Sequence, residues 1–384
     1  MPRIYLDHNA TTPLTPAALA RFTAVAADTW GNASSVHHFG QQAKAVLDDA
    51  RAAVAALLGA EPSELIFTAG GTEGDNAAIR GAAAALEASG RRQIIVSSIE
   101  HEAVLQTVKA LAKRGWDVAL VPVGRRGVVE PDALAALLTG GTAVVSVMHA
   151  NNEIGTLQPI AALAALAKSR GALFHSDAVQ TAGKLPVDVR ALGVDLLSIS
   201  AHKFGGPKGT GALWVRRGVR LESFMTGGRQ ERNRRAGTEN VAAIAGMGAA
   251  ALYAREATPA MAPRIAALRD RLEAGVLAHV PDTAVNGDRT VRVPNTTNIS
   301  FDRVESESLL IALDLEGIAV SSGSACSSGT LEPSHVLKAM GYPHHRTLNS
   351  IRFSLGASTT EGEIDHVVDV LPRLVAKLRS LAAR

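Results

Sequence analysis

Apolar residues in the first part of the chain come in short runs, each closed within a residue or two by a polar or turn-forming residue and separated from the next mostly by alanine-rich stretches. Runs of this length between turn formers read as buried strands, which predicts strands at 65–68, 93–97, 118–121, 144–148, 173–176, 196–200 and 211–215. The intervening stretches have helical spacing. Phe39, Ala43, Val46, Leu47, Ala50, Val54 and Leu57 mark one helical face that stops at Gly59, and a second helix opens at AGGTEGDN and runs through Ala77 and Ile79. Alternation of strand and helix predicts an α/β fold with a mostly parallel sheet covered by helices on both faces. A helix from Val241 is expected to end near Glu256, ahead of Thr258, Pro259 and Pro263, and a change of domain is placed there. Residues 15–258 then form a large domain, while residues 1–14 and 259–384 form a smaller α+β domain. In the smaller part the pattern predicts helices at 264–279, 306–316 and from 361 onward, with strands at 297–301, 318–320 and 350–355. The leading YLDHNATTP reads as an extended arm, with His8 and Asn9 able to point into a cleft.

Composition narrows the class. A chain of 384 residues is too long for one small core, and 39 basic against 36 acidic side chains leave a formal charge of +3, with no basic cluster interleaved with aromatics. Direct nucleic-acid binding is therefore not expected. No apolar span of membrane length occurs and MPRIYLDHNATTP has no signal-peptide core, so a cytoplasmic protein without membrane partners is expected. One cysteine, Cys326, excludes an intrachain disulfide framework and a multi-cysteine zinc site.

Ligands of open α/β sheets sit beyond the carboxyl ends of the strands. Polar groups accumulate there: His101 in IEHEAV, Asn152 in MHANNEIG, Asp177 and Gln180 in HSDAVQ, and Lys203 in SISAHKFGGPKGTG. Taken singly, each has an ordinary explanation as a cap, a turn former or a surface residue. Their joint placement points to one site. A lysine held among hydroxyls at a strand end can lose its proton and form a Schiff base, the attachment chemistry of pyridoxal phosphate. In that reading Asp177 keeps a pyridinium nitrogen protonated, His101 stacks on the ring and moves protons, and Gln180 donates to the phenolic oxygen. Gly70, Gly71 and Thr72, at a strand-to-helix junction, offer a phosphate cup, and Thr238 beside Gly237 is a further phosphate candidate. Neither GPKGTG nor AGGTEGDN has the spacing of a P-loop or dinucleotide fingerprint. Cys326, in SSGSACSSG, reads as an accessible thiol rather than a core residue. Arg352, in the strand SIRFSL, fits either a clamp on a substrate carboxylate or an internal ion pair, and the sequence leaves both open.

These motifs, in this order, resemble the cysteine desulfurases of the NifS/IscS type, within the class V aminotransferase group of pyridoxal-phosphate enzymes. The resemblance runs through YLDHNATTP, GNASSVHHFG, FTAGGTEGDN, EHEAV, NNEIGTLQPI, HSDAVQ, SISAHKFGGPKGTG, RAGTENVA, LDLEGIAVSSGSACSSGTLEPSHVLKAMG and SIRFSLG. It implies pyridoxal-phosphate fold type I and a homodimer. It assigns Lys203 to the covalent anchor and gives His101, Asp177 and Gln180 the ring contacts above. Gly71, Thr72, Ser200 and His202 match phosphate contacts, with Thr238 contributed by the partner subunit. Asn152 matches a cofactor and substrate contact, Arg352 the second group on the substrate carboxylate, and Cys326 the nucleophile that becomes a persulfide. L-cysteine would be the substrate, L-alanine the product, and an iron–sulfur scaffold or another acceptor protein the recipient of sulfur. The long loop around Cys326 resembles the NifS/IscS branch rather than the SufS branch. Gly71 stands where many relatives have alanine, Arg229 interrupts a glycine run, and the chain ends at LRSLAAR, short of the tail some relatives use for scaffold docking. A selenocysteine lyase or an aminotransferase of the same fold is the alternative, and a non-enzymatic sulfur carrier a more distant one.

Overall fold

A computed structural model describes residues 3–322 and 333–382, so Cys326 lies outside the described residues. Among them the strands are β1 (Ile4–Tyr5), β2 (Leu65–Thr68), β3 (Gln93–Ser97), β4 (Asp117–Val121), β5 (Thr142–Ser146), β6 (Leu173–Asp177), β7 (Leu196–Ser200), β8 (Gly211–Val215), β9 (Thr283–Asn286), β10 (Thr296–Phe301), β11 (Ile318–Ala319) and β12 (Ser350–Ser354). Seven of these build one sheet in the order β2-β8-β7-β6-β5-β3-β4. All run parallel except β8, which is antiparallel to both neighbours.

The apolar runs are continuous because both faces of this sheet are covered. Side chains alternate across a strand, so a run fills two cores. Leu65, Phe67, Ile95, Val145, Leu197, Ile199 and Trp214 point to one core, packed by helices His38–Leu57 and Val241–His279. Ile66, Ile94, Val96, Val144, Leu196, Leu213 and Val215 point to the other, against helices Gly71–Leu86 and Glu102–Ala112. A separate core gathers Ile4 and Leu6 with Leu272, Phe301, Leu313, Phe353 and Val367, around the antiparallel sheet β9-β10-β12 and the parallel pair β1-β11. The amino-terminal arm thus belongs to the same core as the carboxyl-terminal elements. Continuing past β1, it crosses toward the large sheet and carries Asp7, His8 and Asn9 with it.

Two expectations need correction, and one strand was not expected. The two helices expected on either side of Thr258 are one continuous helix, Val241–His279, with Pro259 and Pro263 inside it. Each proline costs a helical hydrogen bond, but Ile244, Met247 and Ala251 are anchored in the large-sheet core while Ile265, Leu268, Leu272 and Val276 fill the other core. Burial at both ends keeps the helix continuous through the weak point. Phe39 is not on the buried face of its helix. It is exposed and stacks on Trp30, with ring centroids 4.5 Å apart. Strand β9 was not visible in the sequence, because Thr283–Asn286 holds too few strongly apolar residues to show a period, and it sits at a sheet edge.

Gly183 shows how tightly the site is backed. Its φ is +75°, and a β-carbon there would lie 2.4 Å from Cβ of Phe204, the residue after Lys203. Gly183→Ala is expected to cost about 2 kcal/mol or more, from the left-handed backbone and the clash together. A melting curve showing no loss would mean that the segment carrying Phe204 can yield.

Candidate active site

Four parallel strands, β3, β5, β6 and β7, deliver their ends to one cavity of about 210 Å³. Gly71 and Thr72 line it from the start of helix Gly71–Leu86, Asp177 and Ser200 from the last positions of β6 and β7, and His101, Asn152, Gln180, His202 and Lys203 from the turns after the strands. Nine residues expected at the site from sequence are therefore brought together. Four expected ones are not in this lining: Gly70 caps the helix just before Gly71, Thr238 is exposed on its loop, Arg352 stands behind Asn152, and Cys326 is outside the described residues.

Lys203 sits in the turn Ala201–Lys203 that follows β7. Its Nζ donates to the backbone carbonyls of Asn9 and, at 2.9 Å, of Ala10. Burial, followed by repulsion from Arg352, brings its pKa down from the ordinary lysine value to about 8, against the pull of Asp177 and Asp7. Opposite it, Asp177 closes β6 and is buried, with Oδ1 accepting from the Val179 backbone N–H at 2.8 Å. Burial is the largest influence on this carboxyl and raises it, with His101, the Val179 N–H and Lys203 opposing. No ion pair satisfies it among the described residues, so it is a buried acid facing a cavity with room for a cation.

His101 is both an ordinary cap and a site residue. Its Nδ1 accepts from the Ala103 N–H at 3.1 Å, starting helix Glu102–Ala112, which leaves Nε2 as the protonated nitrogen of the neutral ring. Although the residue is open to solvent at the cavity mouth, the protein packed around it lowers its pKa, with Lys203 adding to the effect and Asp177 opposing it. His202 is also held neutral, down at about 4, by burial and then by Lys203; its Nδ1 lies 3.1 Å from Thr11 Oγ1. Asn152 is presented by a tight turn in which Asn151 Oδ1 accepts the backbone N–H groups of Glu153 and Ile154 at 2.8 and 3.1 Å. At the phosphate candidates, Gly70 has φ +153° and caps helix Gly71–Leu86, so the first-turn N–H groups of Gly71 and Thr72 border the cavity with the hydroxyls of Thr72 and Ser200.

Without substrate, Arg352 makes an internal ion pair. Its guanidinium is buried on β12, donates to Asp7 Oδ1 at 2.7 Å and to the Asn152 carbonyl at 3.1 Å, and keeps Nε without a partner. Its acid lies 345 positions away in sequence, on the arm, where no local pattern signals it. Asp75 was also missed. It lines the cavity, is buried, and its Oδ1 makes no hydrogen bond, with His175 Nε2 3.5 Å away. Burial and then Asp177 push Asp75 well above the carboxylate range, whereas His101, the Val179 N–H and Lys203 act on Asp177 in the opposite direction to its burial. A larger cavity of about 350 Å³ also reaches Lys203, but Leu14, Phe204, Met261 and Ile265 make its walls mainly apolar.

Comparison with known proteins agrees with this geometry. Residues 4–367 match the family described as Aminotransferase class-V. The chain is 50% identical over 379 residues to a cysteine desulfurase of Nostoc sp., spanning 99% of this chain and 94% of that protein. It is 48% identical over 379 residues to the cysteine desulfurase IscS of Dictyoglomus turgidum, spanning 99% and 96%. A solved NifS-like protein superposes with a TM-score of 0.90 at 36% identity, covering 99% of both chains. The chain belongs to the class-V aminotransferase family and, within it, to the cysteine desulfurases.

Proposed function

We propose that this protein takes sulfur from L-cysteine, releases L-alanine and carries the sulfur as a persulfide on Cys326. The observation that carries the reading is a lysine amine with a pKa of about 8 facing a buried, unpaired aspartate in a cavity also reached by a neutral histidine and a helix N-terminus. Enzymes of this family depend on pyridoxal phosphate, and the donors present fit it. Lys203 would hold its aldehyde carbon, Asp177 its ring nitrogen, His101 its face and Gln180 its phenolic oxygen. Gly71, Thr72, Ser200 and His202 would bind its phosphate, joined by Thr238 of a second subunit, and Asn152 would border both cofactor and substrate. When bound, the cofactor supplies an electron sink for negative charge at the substrate Cα.

The chain's own groups do the rest. The Lys203 amine, displaced from its covalent role, removes the proton at Cα and returns protons later, and the neutral His101 ring assists. Asn152 and Arg352 hold the substrate carboxylate. Arg352 has an unused Nε–H and already draws Asp7 into place, which favours a pre-set clamp. The Cys326 thiolate attacks the substrate sulfur, forming an S–S bond as the C–S bond breaks. That electron pair goes to carbon and is protonated, so one thiol and one cysteine become one persulfide and one alanine with no external oxidant.

Finer assignments rest on particular features. Thr238 is exposed away from the cavity, and the stacked Trp30 and Phe39 are exposed, as is Val36, which supports a homodimer that completes the phosphate site across subunits. A split into a large domain of residues 15–258 and a small one of 1–14 with 259–384 agrees with the sharing of Ile4 and Leu6 with the carboxyl-terminal core. No helix among the described residues is long and apolar enough to cross a membrane, and a cytoplasmic enzyme serving an iron–sulfur scaffold or another acceptor protein is the reading we adopt. The direct test is the purified protein with L-cysteine. A visible cofactor band should change on addition, and alanine should appear in step with sulfane sulfur. Cofactor binding without alanine would refute the activity, and a strong preference for selenocysteine would move the assignment to a lyase.

A further inference from the structure

Lys184 has no part in the chemistry just described, yet the fold buries it beside the site. It makes no ion pair among the described residues. Its Nζ donates to two neutral amide oxygens, Asn9 Oδ1 at 2.9 Å and Gln180 Oε1 at 2.7 Å. A buried lysine without a counter-ion is costly, and burial, then Lys203 and Arg352, drives its pKa well below the usual lysine range. A methionine would fill similar space at lower cost, so the donors themselves need an explanation. Lys184 is also held firmly. The preceding Gly183 packs on Phe204, and its carbonyl accepts from Thr258 Oγ1 at 3.1 Å.

Its two acceptors both lead to the site. With Oε1 of Gln180 taken by Lys184, the amide nitrogen is the end left for other partners. One of its hydrogens goes to the Asn9 carbonyl at 3.1 Å, and the other remains for the cavity that Gln180 lines. A flipped amide would lose the Lys184 donor and turn Oε1 against the Asn9 carbonyl, which can only accept. The same Asn9 carbonyl accepts from Lys203 Nζ. Asn9 is pinned in turn by Asn295 Nδ2 on its Oδ1 at 3.0 Å, and its own Nδ2 donates to Thr296 Oγ1 at 2.8 Å and the Asn152 carbonyl at 3.0 Å. A single buried amine therefore sets one amide and steadies the carbonyl that holds the reactive lysine.

We propose that Lys184 is a positioning residue that locks the Gln180 amide with its N–H groups toward the phenolic oxygen of the cofactor. This rests on the pyridoxal-phosphate reading above. The test compares wild type, Lys184→Met, Gln180→Ala and the double variant as cofactor-loaded proteins. Lys184→Met should shift the visible band, weaken cofactor binding about tenfold and lower kcat about tenfold, while KM for L-cysteine stays within about twofold. Gln180→Ala should do the same, and the double variant should be no worse than Gln180→Ala alone, because Lys184 acts through that amide. Lys184→Gln, which keeps a donor, should recover band and affinity to within about threefold of wild type and serves if the methionine variant does not fold. Additive losses, an unmoved band with unchanged affinity, or failure of Lys184→Gln to recover them would overturn the proposal. Wild type that binds the cofactor yet makes no alanine would count against the activity alone, leaving the band and affinity comparison to decide Lys184.

Discussion

A Cys326→Ala protein should bind pyridoxal phosphate with its visible band intact and yet form neither persulfide nor sustained alanine from L-cysteine, a loss of about three orders of magnitude or more. Cys326 is the only cysteine in the chain, so no second thiol can take over. Serine hydroxyls flank it, but a hydroxyl is protonated at neutral pH and a poor nucleophile toward sulfur, whereas a free thiol with a pKa near about 8.5 supplies a usable thiolate fraction. The unaltered band matters as much as the lost turnover. It separates removal of the nucleophile from collapse of the cofactor site, which lies at the ends of β3, β5, β6 and β7. Mass spectrometry of the alkylated protein after exposure to L-cysteine reads the result. Sulfane sulfur retained on the alanine variant would remove Cys326 from the mechanism.

Lys203→Ala should lose the borohydride-reducible link to pyridoxal phosphate and fall in activity by about three to four orders of magnitude, since the anchor and the base disappear together. Retention of a reducible link would move the anchor to another lysine, with buried Lys184 the first to examine. The pH dependence carries a sign that follows from the structure. An ammonium cannot attack an aldehyde, so capture of the cofactor by the apo protein needs the neutral amine. With the pKa of Lys203 lowered to about 8, capture should level off above that pH and slow about tenfold for each unit below it. An unshifted lysine would put that bend near about 10.4 instead, and stopped-flow absorbance against pH distinguishes the two positions.

Much of the large sheet was legible because its signals are local. The predicted bounds of β2, β3, β7 and β8 coincide with the observed ones, and each is a short, mainly apolar run that stops at polar or turn-forming residues. For β5 the run continued through Val147 and Met148, but these residues leave the regular ladder, so the strand is Thr142–Ser146. Pro259 and Pro263 were read as a break because intrinsic helix propensity is all a sequence displays, while burial at both ends of the helix overrides it. Phe39 was counted in a core on spacing alone, though it faces outward onto Trp30.

The chain by itself determined the order of strands and turns, and with it the polar groups that fall at strand ends; hence His101, Asn152, Asp177, Gln180 and Lys203 were found without coordinates. Such patterns are written within a few residues by side-chain period and turn chemistry. Which distant residues meet was decided only in the tertiary structure. Asp7 reaches Arg352, Asn9 receives Lys203, and Lys184 sets Gln180 because the arm shares a core with the carboxyl-terminal sheet and then crosses to the large one. The energy of those contacts comes from burial shared by segments hundreds of positions apart, and no short window of sequence records it.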